Sequence, residues 1–410
     1  EALEAGDVFI KDSITYKSLE DELISKDIWS KDKNKLLKKL DNKLLLRGSD
    51  EIISNLKNEL NEAYKTVNKN ILEGENKHIK ITGKSNKKGK LSWKLPYKKE
   101  DDGVNNPFYE NIPIRNISDI LHCMSEKVDY IKYFSHLLPR YCKTELNKDA
   151  LFAALTANAT GLGINQMSNI CDVKLSELET IESSFLSLEN LKKANVQLTN
   201  SLSHLPIFKY YTLSDYGIHA SIDGQKFETK VHTILARYSY KYFGFNKGVV
   251  AMTLLANNAL INTKIIGANE YEGHYLFDMV YNNSTDVEIN AVSGDMHSIN
   301  KINFALLHLF GYRFMPRFTN LTKKTAKYLV AFKSYDSGSK DIIKPAGIVN
   351  DTLIRDEWDN ILRILVSLAL KKTNQATIIR KLTSFDRSNS THKALIELDK
   401  IIMSLYMLNY

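Results

Sequence analysis

The chain has 410 residues, with 56 Lys and Arg against 48 Asp and Glu, for a formal net charge of +8. That length suffices for two or three domains, and a hydrophobic content of 43% is that of a packed protein rather than a disordered one. The mild basic excess suits a polyanionic partner without establishing one, and no apolar run is long enough to span a membrane.

Ile52, Ile53, Leu56, Leu60, Ala63, Val67 and Ile71 recur at helical spacing and predict an amphipathic helix. A strand, the turn Ser85-Asn86-Lys87-Lys88-Gly89 and a second strand follow, carrying Lys84, Lys87, Lys88, Lys90 and Lys94 with Trp93 interleaved. Such a basic hairpin can track phosphates while its ring stacks on a base, and it reads equally well as a lysine-guarded sheet edge. Residues 101–113, rich in Asp, Asn, Gly and Pro, read as a linker. They divide a helical N-terminal segment with the hairpin (1–100) from a second helical domain (114–206). In the latter, helices are expected over 117–138, 148–158 and, as one long stretch, 175–205, which Pro206 ends.

Residues 207–335 read differently. Residues 218–225 alternate as a strand carrying Asp223 before Gly224, 249–256 form a nearly unbroken apolar run, Asn257-Asn258 marks a turn, and 261–267 form a third strand. A helix is expected over 270–283, then a strand over 287–292 that delivers Asp295 at its end. Ile302, Leu306 and Leu309 mark a second helix closed by Gly311. Residues 312–318 alternate as a fifth strand, which Pro316 confines to an edge. The order β-β-β-α-β-α-β is that of an α/β core of ribonuclease-H-like type, here flanked by mainly α-helical segments. A strand over 328–332, a loop over 334–344 and helices over 345–410 complete the reading.

In that fold the first acid lies on the first strand and the second on or just after the fourth, side by side, and Asp223 and Asp295 occupy those places. Two neighbouring carboxylates repel, so divalent cations would neutralise them. A pair of ions roughly 3.5–4 Å apart activates a water or 3′-hydroxyl and steadies the leaving oxygen. Oxygen-only ligands favour Mg²⁺ or Mn²⁺ over zinc. On spacing alone, Asp223 is also a turn residue before glycine and Asp295 a solvated loop acid. Cys123, Cys142 and Cys171 support neither a disulfide framework nor a zinc site and are expected as buried thiols. No His-Glu-x-x-His and no phosphate-binding Gly-x-x-x-x-Gly-Lys-Ser/Thr loop occurs.

Ser221-Ile222-Asp223-Gly224-Gln225-Lys226-Phe227 resembles the Ser-x-Asp-Gly-Gln-x-Phe signature of the Tn-three family of replicative transposases. The run from Ala150 to Gly163 is similar to the family's segment before its core. The run from Phe304 to Arg317 resembles its Phe-Ala-Leu-x-His-Leu-Leu-Gly-Phe-Arg-Phe-x-Pro-Arg stretch. The similarity extends from Gly6-Asp7-Val8-Phe9 to Leu405-Tyr406-Met407-Leu408-Asn409-Tyr410. The resemblance implies a bacterial, cytoplasmic DNA transposase in which Asp223 and Asp295 bind Mg²⁺ or Mn²⁺. It would act, as a homodimer, on double-stranded DNA, nicking transposon inverted-repeat ends and joining the freed 3′-hydroxyls to target DNA.

Ser293-Gly294-Asp295-Met296-His297 departs from the family, which usually has Thr before the acid and small residues after it. The family's third acid is a glutamate on a helix downstream of the Leu-Tyr-x-Leu-Asn-Tyr segment. Glu1 is no initiator and the last segment is mostly apolar, so the sequence reads as an internal piece of a longer polypeptide, expected to be poorly active alone. Glu357 offers itself as a substitute acid, or as a helix-start acid serving the dipole. The competing reading is a DNA-binding or assembly module, a truncated remnant that does not cut.

Overall fold

The computed structural model describes residues 8, 10, 13, 16–40, 42–82, 92–96, 110–141, 145–212, 215–230, 233–295, 299–384 and 389–410. Three helices open the chain: α1 (Leu19–Glu22), α2 (Lys26–Lys39) and α3 (Ser49–Leu72). Ser18 starts the first with a capping box, its hydroxyl accepting from the Asp21 amide while its own amide donates to the Asp21 carboxylate. The apolar stripe of α3 buries Ile52, Ile53, Leu56, Leu60 and Ile71, as its spacing predicts. The hairpin strands β1 (Lys80–Thr82) and β2 (Ser92–Lys94) pair antiparallel with Ile81 opposite Trp93.

A second, smaller core belongs to α4 (Ile117–Lys127), α5 (Lys148–Thr160), α6 (Ile164–Met167), α7 (Leu175–Ser184) and α8 (Leu188–Ser203), packed around Leu151, Phe152, Leu178 and Ile181. The single long helix expected over 175–205 is two helices, because Ser187 adopts an extended backbone and caps a new start at Leu188, its hydroxyl accepting from the Asn190 amide. Asn195 and Thr199 of α8 each donate to the Leu260 carbonyl at 2.8 Å, tying this bundle to the sheet that follows. The cysteines differ from expectation: Cys123 is exposed, Cys171 is half-buried, and Cys142 lies outside the described residues.

After the short α9 (Pro206–Tyr210) comes the main sheet: β3 (Ile218–Glu228), β4 (Arg237–Tyr238), β5 (Lys247–Ala256), β6 (Ala259–Gly267), β7 (Ile289–Gly294) and β8 (Arg313–Phe314). Neighbours run β5-β3-β7-β8, with β6 and the two-residue β4 both paired to β5. The β3-β5, β4-β5 and β5-β6 pairs are antiparallel, whereas β3-β7 and β7-β8 are parallel. Asn257 and Asn258 turn between β5 and β6 with φ of 46° and 62°, the left-handed region a tight hairpin demands. Burial alternates along β5, with Val250, Met252, Leu254 and Ala256 all turned into the core.

The helix expected over 270–283 is a 3-10 turn, Glu272–His274, followed by α11 (Leu276–Tyr281). The break has a cause: the Gly273 carbonyl accepts side-chain amides from Asn300 (3.1 Å), Asn303 (2.9 Å) and Gln375 (3.3 Å). The fifth strand shrinks to Arg313–Phe314, and its last ladder bond runs from Met315 N to the Val292 carbonyl before Pro316, which has no N–H to donate. Between β7 and β8 lies α12 (Asn303–Leu309). An unforeseen helix, α13 (Leu321–Tyr328), leads to β9 (Val330–Ala331), which pairs in parallel with β10 (Gly347–Ile348) apart from the main sheet.

Four helices close the chain: α14 (Asp351–Asp356), α15 (Trp358–Ala369), α16 (Gln375–Ser384) and α17 (Ser390–Asn409). They share one hydrophobic core with the sheet and with α1 to α3. Polar ties cross that core. Ile24 N donates to the Ser367 hydroxyl at 3.0 Å, and the Tyr64 hydroxyl donates to the Val330 carbonyl at 3.0 Å. Asp399 of α17 accepts from the Ala305 amide at 3.0 Å, capping the start of α12 from outside it. Among the described residues no helix is long and apolar enough to cross a membrane.

Candidate active site

The last parallel pair between β3 and β7 is Ile222 with Gly294, so the next residue on each strand is an aspartate. Asp223, within β3, and Asp295, just past the end of β7, therefore stand side by side on neighbouring strands, which lie about 4.8 Å apart. Ser221 pairs with Ser293 in the same register, which puts both acids on one face of the sheet. Both are exposed. The Gly224 amide donates to Asp223 Oδ1 at 2.8 Å and fixes one carboxylate oxygen.

Behind this strand, on its other face, sits a pair that the spacing of acids does not reveal. Lys226, three residues on from Asp223, points to the opposite side, where its Nζ lies 2.8 Å from Glu272 Oε1 and 4.5 Å from the centre of the Tyr242 ring. Burial alone would lower the Lys226 pKa. The hydrogen bond and charge of Glu272, with the charges of Tyr242 and Asp223, outweigh it and raise the group above the ordinary lysine value. Gly224 permits this arrangement: a Cβ there would stand 2.7 Å from the Glu272 carboxyl carbon and 2.8 Å from Val250 Cγ1. Tyr271 is pushed above the ordinary tyrosine value, first by burial and then by the charges of Asp295 and Glu272. Its hydroxyl donates to the Ile299 carbonyl at 2.9 Å.

Among the described residues no group of three or more His, Cys, Asp or Glu side chains is arranged to hold a metal ion. What the site offers is two exposed carboxylates, an all-oxygen set. That fits Mg²⁺, which keeps much of its water and is held by one or two carboxylates together with substrate phosphates.

Glu357 serves elsewhere. Burial pushes its pKa up, but hydrogen bonds from Ser390 (2.6 Å), Thr391 (2.6 Å) and Asn360 (2.8 Å) outweigh this and leave it below the ordinary value, a carboxylate holding the start of α17. Of the hairpin residues, Lys94 is exposed, but Trp93 is 8% exposed and packs into the main core. Its ring is therefore not free to stack on a base, which corrects the expectation for it. Lys84, Lys87, Lys88 and Lys90 lie outside the described residues.

Lys226 falls at an unspecified position of the Ser-x-Asp-Gly-Gln-x-Phe motif, and only its strand spacing from Asp223 places it on the opposite face. Glu272 carries no such signal, because its place depends on a turn held by Asn300, Asn303 and Gln375 from later in the chain.

A family model, the Tn3 transposase DDE domain, matches residues 119–410. The chain belongs to that family of DNA transposases. A DDE domain implies a ribonuclease-H-like fold, with which the mixed α/β architecture and mixed sheet agree.

The chain is similar along its whole length to the transposase for transposon Tn2501 of Escherichia coli (26% identity, 40% of that protein). The same holds for the transposase for transposon Tn1546 of Enterococcus faecium (24% identity, 40% of that protein). Over 75% of its length it is 23% identical to the transposase for transposon gamma-delta of Escherichia coli, covering 30% of it. The chain thus spans about 40% of the curated relatives it matches end to end.

Proposed function

We propose that this chain carries the strand-cutting and strand-joining centre of a replicative DNA transposase. In this reading Asp223 and Asp295 hold the divalent ions, and the sheet order β6-β5-β3-β7-β8 corresponds to the five-stranded ribonuclease-H-like order. One observation carries the reading: the parallel register of Ile222 with Gly294, which puts the two motif acids at equivalent positions of adjacent strands. When bound, Mg²⁺ or Mn²⁺ would polarise the scissile phosphate and lower the pKa of the attacking water or 3′-hydroxyl.

The chain's own residues supply two acids and the groups that position them. Asp223 presents its anionic oxygens from within β3 and Asp295 from the residue just past the end of β7. The Gly224 amide fixes the orientation of the Asp223 carboxylate. Lys226, held by Glu272 behind the strand, interacts favourably with the charge of Asp223 on its front face.

The test is Mg²⁺- or Mn²⁺-dependent nicking and strand joining on paired transposon-end DNA, with the wild-type transposase beside its Asp223→Asn and Asp295→Asn forms. Cutting that disappears in both variants is expected; cutting that survives either one removes that acid from the assignment.

A further inference from the structure

β3 continues five residues past Asp223, to Glu228, whereas β7 ends at Gly294. Over that extension β3 pairs with β5 alone, so the edge of β3 that faced β7 is free of any strand for about 17 Å past the acid pair, while β5 stays paired to β6 on its other side. The tip of the β3-β5 pair is flanked by the segment 233–247, which contains β4 and α10 (Tyr240–Phe243) and is fastened by the Arg237–Gly248 pairing and by the Phe243 ring against Gly248. Arg237 also donates to the Ile234 carbonyl (2.7 Å) and the Ala236 carbonyl (3.0 Å), ordering the backbone.

This ordered segment turns its large side chains outward. Tyr240 is 79% exposed, Phe245 88% and Tyr238 60%, with Tyr240 and Phe245 meeting edge to face at 5.9 Å. Cations sit among the rings: Lys226 and Lys241 on Tyr242 (4.5 and 4.8 Å) and Lys247 on Tyr238 (4.9 Å). Between residues 226 and 247 the basic residues are Lys226, Lys230, Arg237, Lys241 and Lys247, against Glu228 alone. That acid accepts a hydrogen bond from Asn246 at 2.7 Å.

Exposed aromatic rings interleaved with cations, in a stretch with a single carboxylate, match a strand of phosphates and unpaired bases. Stacking on such rings tolerates any base, and the ammonium groups follow the backbone. A protein partner would need carboxylates for the four cations that Glu272 does not pair and aliphatic side chains for the rings.

We propose that the segment 233–247 is a stacking platform for unpaired nucleotides of the DNA strand whose phosphate lies at Asp223 and Asp295. It rests on the transposase reading and extends it: the extension's 17 Å corresponds to about five nucleotides of duplex rise, so strand opening next to the acids would bring bases onto Tyr240 and Phe245.

Fluorescence anisotropy with a labelled 20-nucleotide thymidine strand and a labelled 20-base-pair duplex tests this. The proteins are the wild-type chain, Tyr240→Ala/Phe245→Ala and Tyr240→Phe/Phe245→Tyr, each checked for an unchanged melt. The alanine variant is expected to lose at least about tenfold in single-strand affinity and less than about threefold in duplex affinity, with the aromatic swap restoring the former. Single-strand affinity that is unchanged, or that falls in step with duplex affinity, overturns the platform while leaving the transposase reading intact. A wild-type chain that binds neither DNA likewise overturns the platform, the transposase reading being decided by the nicking assay. Self-association that the alanine variant abolishes would assign the rings to a second copy of the chain instead, and would equally overturn the platform.

Discussion

The Lys226 ammonium lies 2.8 Å from the Glu272 carboxylate, behind the strand whose front face carries Asp223. Both side chains are mostly buried, at 24% and 14% exposure, so removing one partner strands a charge in a poorly solvated place. Glu272→Gln and Lys226→Met are each expected to lower stability by about 1–3 kcal/mol. The double variant should lose less than the sum, leaving a coupling of about 0.5–3 kcal/mol in a denaturant double-mutant cycle. Strictly additive losses would show that the pair is not a unit.

Asp223→Asn and Asp295→Asn should leave the fold alone and remove the chemistry. Both acids are exposed, so each change is expected to shift stability by no more than about 0.5 kcal/mol. Metal-dependent nicking should fall at least about a hundredfold, since even the groups that orient metal ligands are worth 10–100-fold. Thermal melts and nicking assays on the same preparations check both halves.

Asp399 gives the fold a dependence on pH. Burial pushes its carboxyl up to about 7, against a partial offset from the amides of Ala305 and Phe304. The folded chain therefore binds a proton that the unfolded chain, titrating near 3.8, has lost, and the stability this contributes at low pH disappears as pH rises toward 7. Asp278, pushed up to about 6 by burial, acts in the same direction. Urea midpoints should drop between pH 5 and 8 in the wild type and drop less in Asp399→Asn; parallel slopes would remove Asp399 as the source.

Asn68 ties α3 to the loop before β10. Its amide donates to the carbonyls of Tyr64 (3.0 Å) and Ile343 (2.9 Å) and accepts from the amides of Ile342 and Ile343 (2.9 Å each). Asn68→Ala leaves several of these groups buried and unpaired and should cost about 2–4 kcal/mol. Proteolytic nicking within 336–343 should accelerate with it, and a loop as resistant as the wild type's would count against this anchoring.

The strands that build the site were legible because each carries its own pattern: alternation along β3, the apolar run of β5, the Asn257-Asn258 turn. The positions of Asp223 and Asp295 were legible for the same reason, one inside a strand's pattern and the other just past a strand's end. What stayed hidden depends on distant partners. The turn that presents Glu272 is held by Asn300, Asn303 and Gln375, so the local spacing of Tyr275, Leu276, Met279 and Val280 suggested one continuous helix instead. β4 is two residues long and exists only because β5 outruns β6, leaving its Lys247–Gly248 end open to pair. Trp93 is the converse case: a ring among lysines matches a contact for bases in local pattern, whereas it fills the core.

The amide of Ile24 finds its acceptor on Ser367, 343 residues later. A ribosome adding about 5–20 residues per second needs roughly 17–70 s to make that stretch, and α1 to α3 must wait through it with Leu23, Trp29 and Leu60 uncovered. Assembly of the main core is thus a late, nearly all-at-once event. The smaller bundle around Leu151 and Leu178, drawn from neighbouring sequence, can close while synthesis is still under way.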